Sequence, residues 1–289
     1  MFTKARGVAA LVLGVGVLMV GACGSDDEEE PSGGGASTNG AAESGSDSGL
    51  KPINAGKLTV GMNLQFKPQM YLEGDEPAGY DVELLKLLAP DTGAELDIQN
   101  LAFDGLIPGL QTGKFDLVSV GLSATEERKK VVDFTRGYVP YAQVLGVPAD
   151  KSASVTSVDA LNKSGTTITA LQGSTAETLA KETFPDAEIN GLPDQNAAFL
   201  EVATGRADAV VVENYLLAQF DKSNPGKLAE AALGEPLHVE YGSWAVPKGN
   251  EAFVAFLDKW LCEKQTDGTL EKTYNEVFEV DEMPPMPEC

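Results

Sequence analysis

Histidine is almost missing from this chain: 289 residues hold a single one, His238. That excludes catalysis built on two histidines and weakens any triad built on one. Cysteine is scarce too, with only Cys23, Cys262 and Cys289, and they share no ligand spacing with His238, so no metal site is expected. Base is short against acid, 21 Lys and Arg facing 44 Asp and Glu for a formal charge of −23. Such a surface disfavours nucleic acid and anionic lipid as partners. Long apolar runs are also lacking. The run from Gly7 to Ala22 is too short for a comfortable membrane span and follows Lys4 and Arg6, the layout of a secretory signal peptide, so residues 1–22 are read as a removed leader.

The leader ends Val20-Gly21-Ala22-Cys23, which resembles the lipobox of bacterial lipoproteins. The resemblance implies cleavage before Cys23, its acylation (palmitate), and a domain tethered by lipid to the outside of the cell membrane. Residues 24–50 are Gly, Ser, Ala and acid with no base, so 23–50 is expected to be a lipidated cysteine on a disordered spacer. Asp26 to Glu30 reads as a solvated charge run, not a cation site. Without the linker's acids and the leader's bases the remainder still carries about −18. With Cys23 acylated outside the cytoplasm, a Cys262–Cys289 disulfide pinning the C-terminal tail is the expected pairing.

Lys51 to Cys289 is long enough for one large domain or two lobes. Apolar periodicity predicts strands at Leu58–Met62, Leu96–Asn100, Leu117–Gly121, Thr166–Leu171 and Ala209–Val212. It predicts helices at Asp81–Leu88, Asp104–Gln111, Ala176–Glu182 and Ala197–Thr204. Alternation of this kind argues for α/β layers with largely parallel sheets. Two segments repeat: LQTGKFDLVSVG (Leu110–Gly121) and VATGRADAVVVE (Val202–Glu213) each close a helix at Thr-Gly-base, pass an aspartate and enter a strand. One copy is ordinary turn chemistry; two suggest related lobes. The repeat makes Gly121 and Glu213 equivalent, both at the carboxyl end of a strand, where open α/β sheets bind ligands.

Gly121 admits close approach to the backbone, Ser123 offers a hydroxyl, and Arg128 offers a planar fork of donors suited to a carboxylate. Ser174 and Thr175, in Gln172-Gly173-Ser174-Thr175-Ala176-Glu177, open a helix whose N–H groups form an anion site. Glu213 on the other wall suits an ammonium, so the set describes a holder for a zwitterion. Each residue also has a plain structural reading. Arg128 belongs to a charged helix face where Glu126 pairs with Lys130, Ser123 caps that helix, Glu213 is a surface acid, and Phe66 and Phe103 are core aromatics.

LTVGMN, GYDVELLKLLA, FDGLIPGLQTGKFD, GLSATEERKKVVDF, LQGSTAE, GRADAVVVEN and the final DGTLEKTYNEVF stand in the order found in the family 3 extracellular solute-binding proteins, which deliver polar amino acids to ABC importers. From Lys57 to about Phe278 the chain resembles that family. The resemblance implies a periplasmic-binding-protein type II-like fold: two α/β lobes joined by two hinge crossings, near Gln143–Val147 and Glu240–Ala245. Lobe 1 is then 51–144 plus 245–289 and lobe 2 is 145–244. It implies that Arg128 clamps an α-carboxylate shared with Thr175, that Gly121 and Ser123 touch the ligand's backbone groups, that Glu213 receives the ammonium, and that Phe66 and Phe103 sandwich the side chain.

A monomer with an ABC permease as partner and no cofactor follows from the same resemblance. Two departures stand out. Asn63 occupies a ligand position where members taking cationic side chains commonly carry an acid, which argues mildly against arginine, lysine or histidine. Glu213 is one methylene longer than the usual aspartate, a feature that keeps open an enzyme of cyclohexadienyl dehydratase type on the same scaffold. A sensory module serving a membrane partner is a further alternative.

Overall fold

A computed structural model of the chain describes residues 48–289; the leader, Cys23 and nearly all of the acidic linker lie outside the described residues. The described chain opens with β1 (Lys57–Met62) and an antiparallel meander of β2 (Gln65–Phe66), β3 (Met70–Glu73) and β4 (Glu76–Ala78). Then follow α1 (Tyr80–Thr92), β5 (Glu95–Asn100), α2 (Leu106–Gln111), β6 (Leu117–Ser123) and the single turn α3 (Glu126–Lys129). The long β7 (Val132–Pro148) leads to β8 (Thr167–Leu171), α4 (Thr175–Thr183), β9 (Glu188–Leu192), α5 (Gln195–Ala203), β10 (Ala209–Glu213) and α6 (Asn214–Ser223). β11 (Leu228–Glu230), β12 (His238–Pro247), α7 (Glu251–Thr266) and α8 (Thr269–Phe278) complete it.

The predicted strands and helices recur with ends moved by a few residues. The main sheet runs β5-β1-β6-β12-β7-β10-β8-β9, with β11 beside β7. Its two flanks, β5-β1-β6 and β10-β8-β9, are parallel blocks, as alternating strand and helix require. Between them β12 and β7 pair antiparallel with each other and with the blocks, so the sheet is mixed where a largely parallel one was expected. β7 begins beside Pro247 and ends beside Val210, running from one block to the other, and β12 runs back. These strands are the two crossings, and they contain both segments assigned to the hinge. Leu145, Ile168, Ala170, Phe184 and Val211 form a separate apolar cluster under the second block, while Trp244, Tyr80, Tyr138 and Phe253 are fully buried in the larger core.

The repeated aspartates do the same work twice. Asp116, before β6, accepts the N–H of Thr59 at 2.8 Å and of Ile53 at 2.9 Å, while its own N–H donates to Thr59 O. Asp208, before β10, accepts the N–H of Thr167 at 3.0 Å and donates to Thr167 O. Each aspartate pairs the strand it introduces with the first strand of its own block, satisfying a backbone donor that strand ends leave open. The repeat in the sequence is therefore a repeat in sheet-edge chemistry.

A buried polar network fixes the end of β6. Asp81, wholly buried at the start of α1, accepts from Ser119 Oγ at 2.6 Å, Gln69 Nε2 at 3.1 Å and the Tyr138 hydroxyl. The Tyr138 oxygen in turn accepts the Gly121 N–H at 3.0 Å. Gly121 has φ of +63°, and a Cβ there would fall 2.7 Å from Gln69 Nε2, so the network and the glycine specify each other. Burial pushes the Asp81 carboxyl up to about 6, against the pull of its three donors. At the other end of the chain, Cys262 in α7 is disulfide-bonded to Cys289, Cα to Cα 5.6 Å, the pairing expected for the tail.

Asp116→Asn and Asp208→Asn are each expected to lower the unfolding free energy by about 1–3 kcal/mol, read from the shift of the urea midpoint, with Asp116→Asn the larger because two N–H groups lose a charged acceptor. Asp81 gives a pH signature. Its folded pKa lies above the unfolded value, so its contribution is full below about pH 4 and is lost as pH rises through about 6, costing ~3 kcal/mol by neutrality. Asp81→Asn should flatten the fall of stability between those pH values, measured by urea unfolding at a series of pH.

Candidate functional site

The carboxyl ends of β6 and β10 face one cavity between the two blocks. It is bounded from the first block by Phe66, Phe103, Gly121, Ser123 and Arg128, and from the second by Ser174, Thr175 and Glu213. All the ligand residues named from the sequence are thus brought together except Asn63. Asn63 is buried with its amide spent elsewhere, donating to Leu101 O at 2.5 Å and accepting from Gln65 Nε2, and it does not line the cavity. The space is tight. Its water-accessible volume is about 20 Å³, room for about one water molecule, so admitting anything larger requires the walls to part.

Local chemistry explains how the residues arrive there. Thr125 caps α3 through its hydroxyl, which accepts the Arg128 N–H at 3.3 Å, so the cap is not Ser123. Ser123 is released to point inward. The ion pair on the exposed face of α3 is Glu126 with Lys129, at 2.9 Å, where Glu126 with Lys130 was expected. Arg128 leaves that face altogether: Nη1 donates to Ser123 O at 3.1 Å, Nη2 to Gly173 O at 3.0 Å, and the guanidinium lies 6.0 Å from the Phe103 ring centroid. It bridges the two blocks, and burial lowers its pKa while Tyr141 and Glu240 oppose the shift. Ser174 is committed to capping α4, donating to Leu171 O at 2.7 Å and accepting the Glu177 N–H at 3.2 Å.

The polar floor comes from the crossings, which the sequence did not single out as ligand-facing. From β7, Tyr141 OH lies 2.7 Å from Ser123 Oγ and 3.0 Å from Gly121 O, and Gln143 Nε2 donates to Thr175 Oγ1 at 2.8 Å. From β12, Glu240 Oε2 accepts from Ser123 Oγ at 2.5 Å and Thr175 Oγ1 at 2.9 Å. Gly242, next but one along, lets β12 approach: a Cβ there would fall 2.6 Å from Gly121 Cα.

On the opposite wall, Glu213 is partly exposed as a residue, yet the protein around its carboxyl desolvates it and pushes it up to about 7, with Glu240 adding to the rise. Tyr215 donates to Gln69 Oε1 at 2.6 Å, and Gln195 N–H to Gln65 Oε1 at 2.9 Å, two further ties between the blocks. Phe66 and Phe103 meet edge to face, 6.2 Å between centroids. Gln69 and Tyr215, both lining the cavity, carried no motif; only the polar bonds across the blocks give them their place. Among the described residues no group of three His, Cys, Asp or Glu side chains gathers as a metal site, and no helix is long and apolar enough to cross a membrane.

One cation, one acid, several hydroxyls and an aromatic pair line one cavity, a set of groups whose chemistry suits a small zwitterion. Known proteins resemble the chain over most of its length. The model of the bacterial extracellular solute-binding proteins, family 3, matches residues 58–280. The arginine-binding extracellular protein of Bacillus subtilis (strain 168) is 32% identical over 241 residues, 83% of this chain and 91% of that one. A solved amino acid ABC transporter substrate-binding protein from Streptococcus pneumoniae, bound to L-arginine, aligns with a TM-score of 0.72 at 30% identity over 78% of this chain and 95% of that one. An ancestral amino acid-binding protein, described as a precursor of cyclohexadienyl dehydratase, aligns with a TM-score of 0.71 at 33% identity over 77% and 96%. A match that spans both parallel blocks and both crossings is a match of the whole fold, and the chain belongs to the family 3 bacterial extracellular solute-binding proteins, with their type II two-lobed architecture.

Proposed function

We propose that the protein is the lipid-anchored, extracytoplasmic substrate-binding component of an ABC importer, a monomer that captures a polar amino acid or similar small zwitterion by closing two lobes and delivers it to a membrane permease. The observation that carries this reading is the opposition of Arg128 and Glu213 across one cavity walled by both blocks of the sheet. Arg128 and Thr175 hold the α-carboxylate, Gly121 and Ser123 contact the ligand's backbone groups, Glu213 takes the ammonium, and Phe66 and Phe103 pack the side chain. Lobe 1 comprises 51–144 plus 245–289 and lobe 2 comprises 145–244, with β7 and β12 as the hinge. The direct ties from Arg128 to Gly173 and from Tyr215 to Gln69 are the contacts that opening must break. The acylated Cys23 and its linker keep the lobes near the permease.

One observation favours a second reading, an enzyme on this scaffold: a carboxyl held at about 7 in an enclosed cleft is suited to protonate a leaving hydroxyl. Incubation with prephenate and with arogenate decides it; no turnover is expected, and turnover lost in Glu213→Gln would establish it.

For the binding reading, a thermal-shift panel of amino acids is expected to raise the melting temperature with one or a few of them. Arg128→Ala should weaken that binding on the order of a hundredfold while the protein stays folded. Lys129→Ala, on the exposed face of the same turn, should change neither. Equal binding by the two variants would refute the assignment of Arg128.

A further inference from the structure

The hydroxyls assigned to the ligand's carboxylate already serve a carboxylate of the protein. Glu240, on the returning crossing β12, has a side chain only 12% exposed. Its Oε2 accepts from Ser123 Oγ at 2.5 Å, Thr175 Oγ1 at 2.9 Å, Tyr141 OH at 3.1 Å and Gln143 Nε2 at 3.3 Å. Those donors come from β6, α4 and β7, that is, from both blocks and the crossing between them. We propose that Glu240 is a specificity-determining residue of the cleft and that it selects an amino acid whose side chain carries a positive charge. The inference rests on the amino-acid-binding reading and adds to it the charge class of the ligand.

The charge balance carries the argument. Arg128 is the sole cation on the cavity wall and Glu213 the sole acid. Those two alone suit a ligand of net charge zero. Glu240 stands one hydrogen bond behind the wall and tips the balance by one negative charge, and its charge reaches both opposing groups, acting on Arg128 and on Glu213 alike. A zwitterion closed into this space leaves that charge uncompensated, and desolvating an unbalanced charge is costly. A ligand with one further positive charge neutralises the set.

Two basic groups stand near Glu240: Arg128, already counted in the balance, on which its charge acts, and His238, whose Nε2 is 3.9 Å from Oε1 and whose side chain is exposed. The depression that Glu240 lines there is further walled by Glu126, Glu127 and Glu182, so acid accumulates on that side of Arg128.

This reverses the expectation drawn from Asn63. Asn63 does not line the cavity and has its amide bonded internally, so the lack of an acid there says nothing of ligand charge. The acid enters instead from the crossing strand, where no motif marks it.

The isosteric pair L-arginine and L-citrulline, equal in shape and different by one charge, tests the proposal by titration calorimetry on the whole protein, with the remaining amino acids as a panel. Arginine is expected to bind more tightly than citrulline by about tenfold to a hundredfold. Glu240→Gln, which keeps an acceptor for the hydroxyls, should compress that ratio by about tenfold, and Glu240→Asp, which keeps the charge, should retain it. The proposal is overturned if citrulline matches arginine, if an uncharged or acidic amino acid outbinds every cationic one, or if Glu240→Gln keeps the wild-type ratio. The wild-type ratio needs no variant to fold. Should no amino acid bind at all, the binding reading itself falls and this inference with it, an outcome distinct from binding without charge preference.

Discussion

The antiparallel pairing of β7 with β12 is the constraint on which the cleft depends. Neither parallel block alone carries all the residues that line the cavity. Phe66, Gly121 and Arg128 belong to one block and Thr175 and Glu213 to the other, and only the two crossings set the distance between them. Because both crossings are continuous strands, they also carry side chains into the floor of the cleft. Tyr141 lines the cavity, and Gln143 and Glu240 bond its hydroxyls from behind the wall, so any change in the geometry of β7 and β12 moves the hydroxyl cluster directly.

Much of this was legible in the sequence where the signal was local. Alternating apolar patterns gave the strands that flank each block, and the Thr-Gly-base-x-Asp repeat located β6 and β10. Asp116 and Asp208 then prove to share a sheet-edge role that explains why the repeat exists. The signal failed where long-range packing decides. Ser123 and Thr125 are equally good helix caps by composition, and distant partners, Tyr141 and Glu240, the latter 117 residues away, draw Ser123 inward. Glu240 lies in a strand whose HVEY stretch reads as an exposed edge, so nothing local reveals four donors converging on it. The β2–β4 meander is too short to show periodicity.

The placement of acid in the interior follows one logic with two outcomes. Asp81 is surrounded by Ser119 of β6, Gln69 and Tyr138 of the crossing β7, and through Tyr138 it serves to orient the backbone of Gly121. Its cost in stability is accepted inside a rigid element. Glu213 has no such retinue of side-chain donors, and burial leaves its carboxyl raised to about 7, poised to gain from a cation that arrives later. One acid is satisfied by the fold; the other is the one the proposed function assigns to a ligand's ammonium.

Glu240 stands between these cases and makes the closed arrangement self-consistent. It meets hydroxyls from both blocks, the same donors that the proposed function assigns to a ligand's carboxylate. Two negative charges and one positive one thus stand at and just behind the wall of one cavity, where low polarity magnifies the imbalance. Under the proposed binding reading, the charge that a ligand brings offsets this imbalance, and its loss restores the repulsion between Glu213 and Glu240.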